Sequence, residues 1–412
     1  MIVQSARPNV RHLVVNSWVW KCGGWIEFRE LRDPNRLGQG GAVEKLPKIG
    51  IVMPPEYDIA VSGSITTWNR EVYSDASLVK LGSAVVFGKA RSNKRRYRAW
   101  KRASYAFAWI NDKLNKIAPQ KFLDMLWCGK AYLHFRKFDL IHVHNRPHYC
   151  LTLRKLGFKG KLILHLHNDN FGNAEFARNF IKASSLVVCC SNYLLARLQA
   201  LCGMDMRGVA AVLHNGVDTA TFRPGPKLQR QILFVGRFTR TKGIANLLDA
   251  LQLTAAHDSE LSVVLVGPSA PDYDWEGHAR QVAKLEALGV VVSLHGHLEA
   301  GQLAQLYSSS TTFVMPSLLE EAFGMVAVEA MASGTAVVAS NCGGIPEATG
   351  GYAILVNRTP EALSQGILEL LNDEQRRKQL EEDGRRFVCE NYAWSNIASQ
   401  FAGMVAEQLS TE

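Results

Sequence analysis

The residues with the most chemistry to offer lie between Ser317 and Glu347, in the run SLLEEAFGMVAVEAMASGTAVVASNCGGIPE. Two carboxylates, Glu321 and Glu329, stand eight residues apart around an Ala-Phe-Gly turn. On one continuous helix, at about 100° per residue, eight positions leave an offset of roughly 80°, so the pair would not quite share a face. They converge only if Glu321 precedes the helix. A helix starting near Gly324 satisfies this, and it leaves the backbone N–H groups of Gly324, Met325 and Val326 as unpaired N-terminal donors that suit an anionic phosphate. Glu329, just over one turn in, can accept hydrogen bonds from hydroxyls. The combination fits a ligand carrying both hydroxyls and phosphates, as a nucleotide sugar does; the plainer alternative is a pair of solvated surface glutamates.

A second segment, VGRFTRTKG (Val235 to Gly243), places Gly236 directly after an apolar run. Arg237 and Lys242 then flank a short polar loop that leads into a helix. Two fixed cations at a strand's carboxyl end are what a departing diphosphate needs, because charge develops on its oxygens as the glycosidic bond breaks. The bland reading is a basic loop with no ligand. The segment has neither the glycine pattern nor the GKS/T ending of a P-loop, and the chain lacks a GxGxxG fingerprint. DYD at Asp272 to Asp274 is the nearest acidic metal-type motif; it sits in a Pro-flanked loop, and no metal role is expected of it.

Positioning these residues requires strands that end together. KIGIVMPP (Lys48 to Pro55), SAVVFG (between Gly82 and Lys89), FDLIHVHN (Phe138 to Asn145), KLILHLHN (Lys161 to Asn168) and SLVVCCSN (Ser185 to Asn192) are apolar runs separated by helix-length segments. A helix is expected to open near Thr66, and long helical stretches are expected between Ser92 and Arg136, broken at Pro119. The pattern restarts at QILFVGRF (Gln231 to Phe238) and continues through LSVVLVG, VVVSLHG, TTFVMPS and TAVVAS. Alternating strands and helices imply parallel sheets. The expected fold is α/β: two Rossmann-like, doubly wound parallel-sheet domains facing across a cleft, with ligands at the strands' carboxyl ends. The expected division is an irregular extension over 1–46, a first domain over 47–214, a second over 215–391, and a final helix over 392–412 that could dock on either.

The 412 residues suffice for two or three domains, and 47% hydrophobic with 20% charged residues is globular composition. No run of roughly 18 apolar residues is long enough to span a bilayer, and the N-terminus lacks the compact apolar core of a secretion signal. Eight cysteines without a CxxC pair read as buried apolar residues in a reducing cytoplasm. The net charge of +10 is unevenly placed: residues 1–214 carry 33 Lys+Arg against 14 Asp+Glu, the remainder 14 against 23. The first half is therefore expected to meet an anionic surface or substrate.

VGRF with its following KG, PSLLEEAFGMVAVEAMASGTAVVAS and GGIPE, in this order and preceded by LHNGVD (Leu213 to Asp218), resemble the donor-binding half of the family-4 glycosyltransferases, retaining enzymes of the GT-B fold. The resemblance runs through most of Val212 to Asn391. It implies that Arg237 and Lys242 hold a donor diphosphate beside Gly236, that Glu321 binds sugar hydroxyls, and that Glu329 holds the ribose. Phe323, Gly324, Met325 and Val326 would offer backbone donors to sugar and phosphate. His167 matches the histidine that the family places near the donor sugar; His165, alternating with it, is expected on the opposite face. The first loop of the family carries a Gly-Gly pair, where this chain reads AVSGSITTW with only Gly63. No metal or other cofactor is implied.

The resemblance implies transfer of a hexose or N-acetylhexosamine from a nucleoside diphosphate sugar, UDP by default, to a hydroxyl of a glycan or glycolipid acceptor. The basic first half favours an anionic acceptor, such as lipopolysaccharide core, at the cytoplasmic face of a membrane. RSNKRRYRAWKR (Arg91 to Arg102) has seven cations, no acid and interleaved aromatics, which suits an anionic membrane surface. Nucleic acid is not an expected partner. A nucleotide-sugar epimerase of the same fold and a non-catalytic glycan- or nucleotide-binding relative are the competing readings.

Overall fold

The structure is a computed structural model; it describes residues 14–21, 24–31, 47–52, 64–79, 81, 83–87, 128–133, 135–258, 260–269 and 273–411. Fourteen strands are assigned among these residues, in three sheets. Six form the first large sheet: β3 (Lys48–Val52), β4 (Ser83–Phe87), β5 (Leu140–His144), β6 (Lys161–Leu166), β7 (Leu186–Cys189) and β8 (Ala210–Val212), in the order β4-β3-β5-β6-β7-β8. Six more form the second: β9 (Gln231–Val235), β10 (Ser262–Val266), β11 (Val291–His295), β12 (Thr312–Met315), β13 (Ala336–Ser340) and β14 (Ile354–Val356), in the order β11-β10-β9-β12-β13-β14. Every pairing within these two sheets is parallel.

Continuous burial of β5, β7, β12 and β13 explains why they read as unbroken apolar runs, since helices cover both faces of a parallel sheet. Strand order reverses between β9 and β12 in the second sheet and between β3 and β5 in the first. These are the points where crossovers leave in opposite directions and open a crevice at the carboxyl edge. The loops carrying Gly236 to Lys242 and Ser317 to Glu321 both leave the crevice of the second sheet.

One part differs from expectation, and the final helix, whose docking side the sequence left open, takes one of the two sides. Val14–Lys21 (β1) and Gly24–Leu31 (β2) pair as an antiparallel hairpin, from Val14 opposite Leu31 to Lys21 opposite Gly24, inside the stretch read as irregular. The signal was the alternation of Ile26 and Phe28 with Glu27 and Arg29, a period of two within an Arg- and Gly-rich background. The final helix, Trp394–Ser410, docks on the first sheet although the chain reaches it from the second unit. Its apolar stripe of Ile397, Ala398, Phe401, Ala402 and Val405 joins Trp68 and Val72 over Ile49, Leu140, Ile163 and Val188. That stripe repeats at helical spacing and has to be buried somewhere. The preceding helix, Glu374–Tyr392, stays with the second unit, packing Val388 and Tyr392 beside Met331. The chain thus crosses between units twice, and the crossings touch: Val217 donates its N–H to the Tyr392 carbonyl at 2.8 Å.

Among the described residues no helix is long and apolar enough to cross a membrane. Gly63, the basic stretch 91–102 and most of 92–136 lie outside the described residues; 128–133 and 135 are helical as expected. Cys128, Cys150, Cys189, Cys190, Cys202 and Cys342 are buried, whereas Cys389 is partly exposed.

Candidate functional site

Lys242 ends a short 3-10 turn, Arg240–Lys242, just beyond β9. The Thr241 carbonyl accepts the N–H groups of Leu318 at 2.9 Å and Leu319 at 3.2 Å, which ties this turn to the loop after β12. Gly243 makes the close approach possible: its φ is +72°, and a Cβ there would overlap the Pro316 carbonyl oxygen. The two loops therefore meet at the crevice. Lys242 Nζ reaches Glu321 Oε1 at 2.6 Å, and Ser317 Oγ donates to the same oxygen at 2.6 Å. Both ionic side chains are mostly buried, with 25% and 14% of their side-chain surface exposed. Arg237 is exposed at the same strand end.

Helix Met325–Ala332 begins as the spacing of the two glutamates requires, with Gly324 before it at a φ of +122°. The first helical bond is Ala327 N–H to the Gly324 carbonyl, so the donors of Gly324, Met325 and Val326 precede the intrahelical ladder. Glu321 lies before the helix and Glu329 within it, as expected. Glu329 Oε2 accepts the Tyr307 hydroxyl at 3.1 Å, and burial pushes the Glu329 carboxyl up to about 7 against that bond. From the other side the glycines of GGIPE brace the loop: Gly344 N–H donates to the Glu321 carbonyl at 2.7 Å and Gly343 N–H to Glu320 Oε2 at 2.6 Å. Asp274 of the DYD segment caps helix Trp275–Ala287, taking the Gly277 N–H at 2.8 Å, which is a local structural task.

Glu347 is the site residue that sequence reasoning missed. Its Oε1 accepts from Asn192 N–H at 2.8 Å, Asn192 Nδ2 at 2.7 Å and His214 Nε2 at 2.7 Å, and its Oε2 takes Tyr193 N–H at 3.2 Å. The carboxylate of the second unit thus sits on the N-terminus of helix Asn192–Cys202 of the first, where helix donors favour a negative charge. Burial pushes the carboxyl up, but the bonds led by His214 outweigh it and hold it below the ordinary carboxylate value. Ser191, the cap of that helix, adds a bond from Oγ to the Ala322 carbonyl at 2.6 Å. The His214 ring stacks on Phe323, 5.4 Å between centroids. The loop holding Glu321 and Phe323 is therefore bonded to the opposite unit.

His167 follows β6 directly, at its carboxyl end, with its backbone N–H donated to Asn145 Oδ1 at 2.7 Å. Asn145 adopts φ +52°, a left-handed conformation that asparagine tolerates better than most residues. The Nδ1 atom of His167 lies 3.0 Å from Asn215 Oδ1 in the connecting segment between the units. His165 is not on the opposite face: it stacks on His167 with 4.1 Å between ring centroids, because residues two apart on a strand point the same way.

Two parallel-sheet units, the second in the order of a dinucleotide-type fold with its polar loops at the switch point, define the GT-B architecture. The chain belongs to the family-4 glycosyltransferases. The family model described as glycosyl transferases group 1 matches residues 220–387, and that of Glycosyltransferase Family 4 matches 78–221. An uncharacterised glycosyltransferase of Methanocaldococcus jannaschii is 31% identical over 314 residues, 71% of this chain and 77% of that protein. The lipopolysaccharide 1,2-N-acetylglucosaminetransferase of Salmonella typhimurium is 28% identical over 288 residues, covering 64% and 71%. Among solved structures, the Anabaena protein HepE in complex with UDP superposes with a TM-score of 0.67 at 18% identity, over 88% of this chain and all of that one; this last likeness is one of fold.

Proposed function

We propose that the chain transfers a hexosyl or N-acetylhexosaminyl group from a UDP-sugar, with retention of configuration and without a metal, to a hydroxyl of an anionic cell-envelope glycan or glycolipid such as lipopolysaccharide core. The observation that carries the reading is the meeting of Lys242 with Glu321 at the switch point of the second sheet, beside the free donors that open helix Met325–Ala332. One locus then offers a cation for phosphate, a carboxylate for sugar hydroxyls and N–H groups for either. Glu329 would hold the ribose hydroxyls. The donor bond breaks between the anomeric carbon and the diphosphate oxygen. The acceptor oxygen bonds to that carbon from the same face, and its proton passes to the departing phosphate. Arg237, Lys242 and the helix N-terminus stabilise the charge that develops on the leaving group.

The acceptor class draws on the excess of cations in the first half and on the activity for which the Salmonella relative is named. The cationic stretch 91–102 would bring the protein to an anionic membrane surface from the cytoplasmic side. Stereochemistry gives a direct test. When UDP-α-glucose, or whichever UDP-α-sugar is turned over, is hydrolysed without acceptor, proton NMR in the first minutes should show the α-anomer of the free sugar ahead of the β. First appearance of the β-anomer would overturn retention.

A further inference from the structure

Four histidines face one side of the first sheet, His142 and His144 from β5 and His165 and His167 from the end of β6, under Trp68 and Phe401. Hydrogen bonds order them. Asn69, buried in helix Ser64–Tyr73, donates Nδ2 to the Ile65 carbonyl at 3.0 Å, so its Oδ1 is the atom left for His144 Nε2 at 3.1 Å. A carboxamide oxygen only accepts, so His144 carries its proton on Nε2. A neutral His144 then has a lone pair on Nδ1, and the group 3.0 Å from it, His167 Nε2, must be the donor. Burial holds both rings neutral, pushing His144 well below the ordinary imidazole value and His167 down to about 4.

We propose that Asn69 and His144 are positioning residues that fix His167 as its Nε2–H tautomer, leaving Nδ1 as a hydrogen-bond acceptor at the carboxyl edge of the sheet. Asn215, at 3.0 Å from that nitrogen, then turns its amide N–H toward it, and a substrate hydroxyl reaching the same nitrogen is bound as a donor. The chain runs from Ile65 through Asn69 and His144 to His167 and the connecting segment. It explains why an apparently structural histidine on β5 sits beside the one at the strand end.

The three buried histidines His142, His144 and His165 bring ring nitrogens within 4.8 Å of one another, the spacing of a candidate metal cluster. Both nitrogens of His144 are already engaged, however, and the His142 and His144 rings stack on His165 at 20° and 27°, so their in-plane lone pairs run side by side rather than converge. The hydrogen-bonded chain and a metal at His144 exclude each other.

The inference rests on the proposed function only for the place of His167 at the donor, and the test separates the two. Long-range nitrogen–proton NMR of the full chain, labelled with nitrogen-15 in histidine, should show His144 and His167 both protonated on Nε2 at pH 7.5. In Asn69→Leu, where His144 loses its acceptor, the Nε2–H signature of His167 should be lost, and kcat with the accepted donor should fall about tenfold or more with KM within about threefold. Asn69→Asp keeps the acceptor oxygen and should retain the tautomer. His167 protonated on Nδ1 in the wild type, an unchanged signature in Asn69→Leu, or stoichiometric zinc bound by the cluster would overturn the proposal. Without turnover of any donor the transferase reading falls, and the NMR result alone still decides the tautomer.

Discussion

Lys242→Ala lowers kcat at least ~10²-fold while the protein stays folded; this is the expected result of removing a mostly buried cation at the crevice. Lys242 lies on a tight turn whose backbone bonds, through the Thr241 carbonyl and the Thr239 cap, do not involve its side chain beyond Cβ. What disappears is the ammonium 2.6 Å from Glu321 Oε1. Glu321 keeps its bond from Ser317, so its own position is held. The loss falls on the transition state, where charge arrives on the diphosphate, and loss of a single well-placed donor in such a site costs on the order of 10²–10³ in kcat. Thermal unfolding within a few degrees of the wild type, together with steady-state kinetics, checks both halves of the statement. Near-normal turnover would remove Lys242 from the mechanism.

Glu329→Gln should raise the donor KM at least tenfold and at the same time stabilise the free protein at alkaline pH. The carboxyl of Glu329 titrates at about 7, against 4.5 as its ordinary value, because burial outweighs the Tyr307 hydrogen bond. Below pH 4.5 it is protonated whether the chain is folded or not, and it has no effect on stability. Between 4.5 and about 7 the unfolded chain ionises first, so the wild type loses stability as pH rises, and above 7 the full cost is present. Glutamine carries no such cost. The variant should therefore gain on the wild type through this window, by about 1–3 kcal/mol at pH 8, of which the upper figure is the full shift at 1.36 kcal/mol per unit. Donor binding runs the other way. A carboxylate accepts two hydroxyl hydrogen bonds and a neutral acid does so poorly, so the donor KM of the wild type should fall as pH rises through 7, and that dependence should vanish in Glu329→Gln. Denaturant melts and KM measured at pH 6 and 8 for both proteins decide it; a variant with wild-type KM would exclude Glu329 from the donor site.

Glu321 and Glu329 were legible in the sequence because their relative placement depends on one short stretch of chain. The spacing of Glu321 and Glu329 required a helix start near Gly324, and helix Met325–Ala332 starts there. Strands β5, β6, β9, β10, β12 and β13 were legible as apolar runs, since each is buried on both faces. The three-residue strands Ala210–Val212 and Ile354–Val356 are half-buried edges too short to show any period. Glu347, within GGIPE, has no role legible in the sequence, because its partners Asn192 and Tyr193 lie 155 and 154 positions away, and the Ser191 cap that marks their helix N-terminus does not say which carboxylate will reach it. The docking of Trp394–Ser410 depends in the same way on a second chain crossing: its stripe was visible, but the sheet that covers it was not. His165 was misplaced by an error of strand geometry alone.

The interunit bonds bear on the proposed donor site. The loop of Glu320 to Phe323 is held from its own sheet by Gly343 and Gly344 and from the opposite unit by Ser191, while Glu347 clamps the helix that Ser191 caps. The geometry of the proposed donor site is thus built by both units.

The most direct measurement of the central claim is nucleotide release by the purified full chain from UDP-, GDP- and ADP-sugars, without acceptor, with and without EDTA, beside Lys242→Ala. Release from a UDP-sugar that EDTA leaves unchanged and the substitution abolishes is the predicted result. Silence across the panel, with no thermal shift from any free nucleotide, would contradict it.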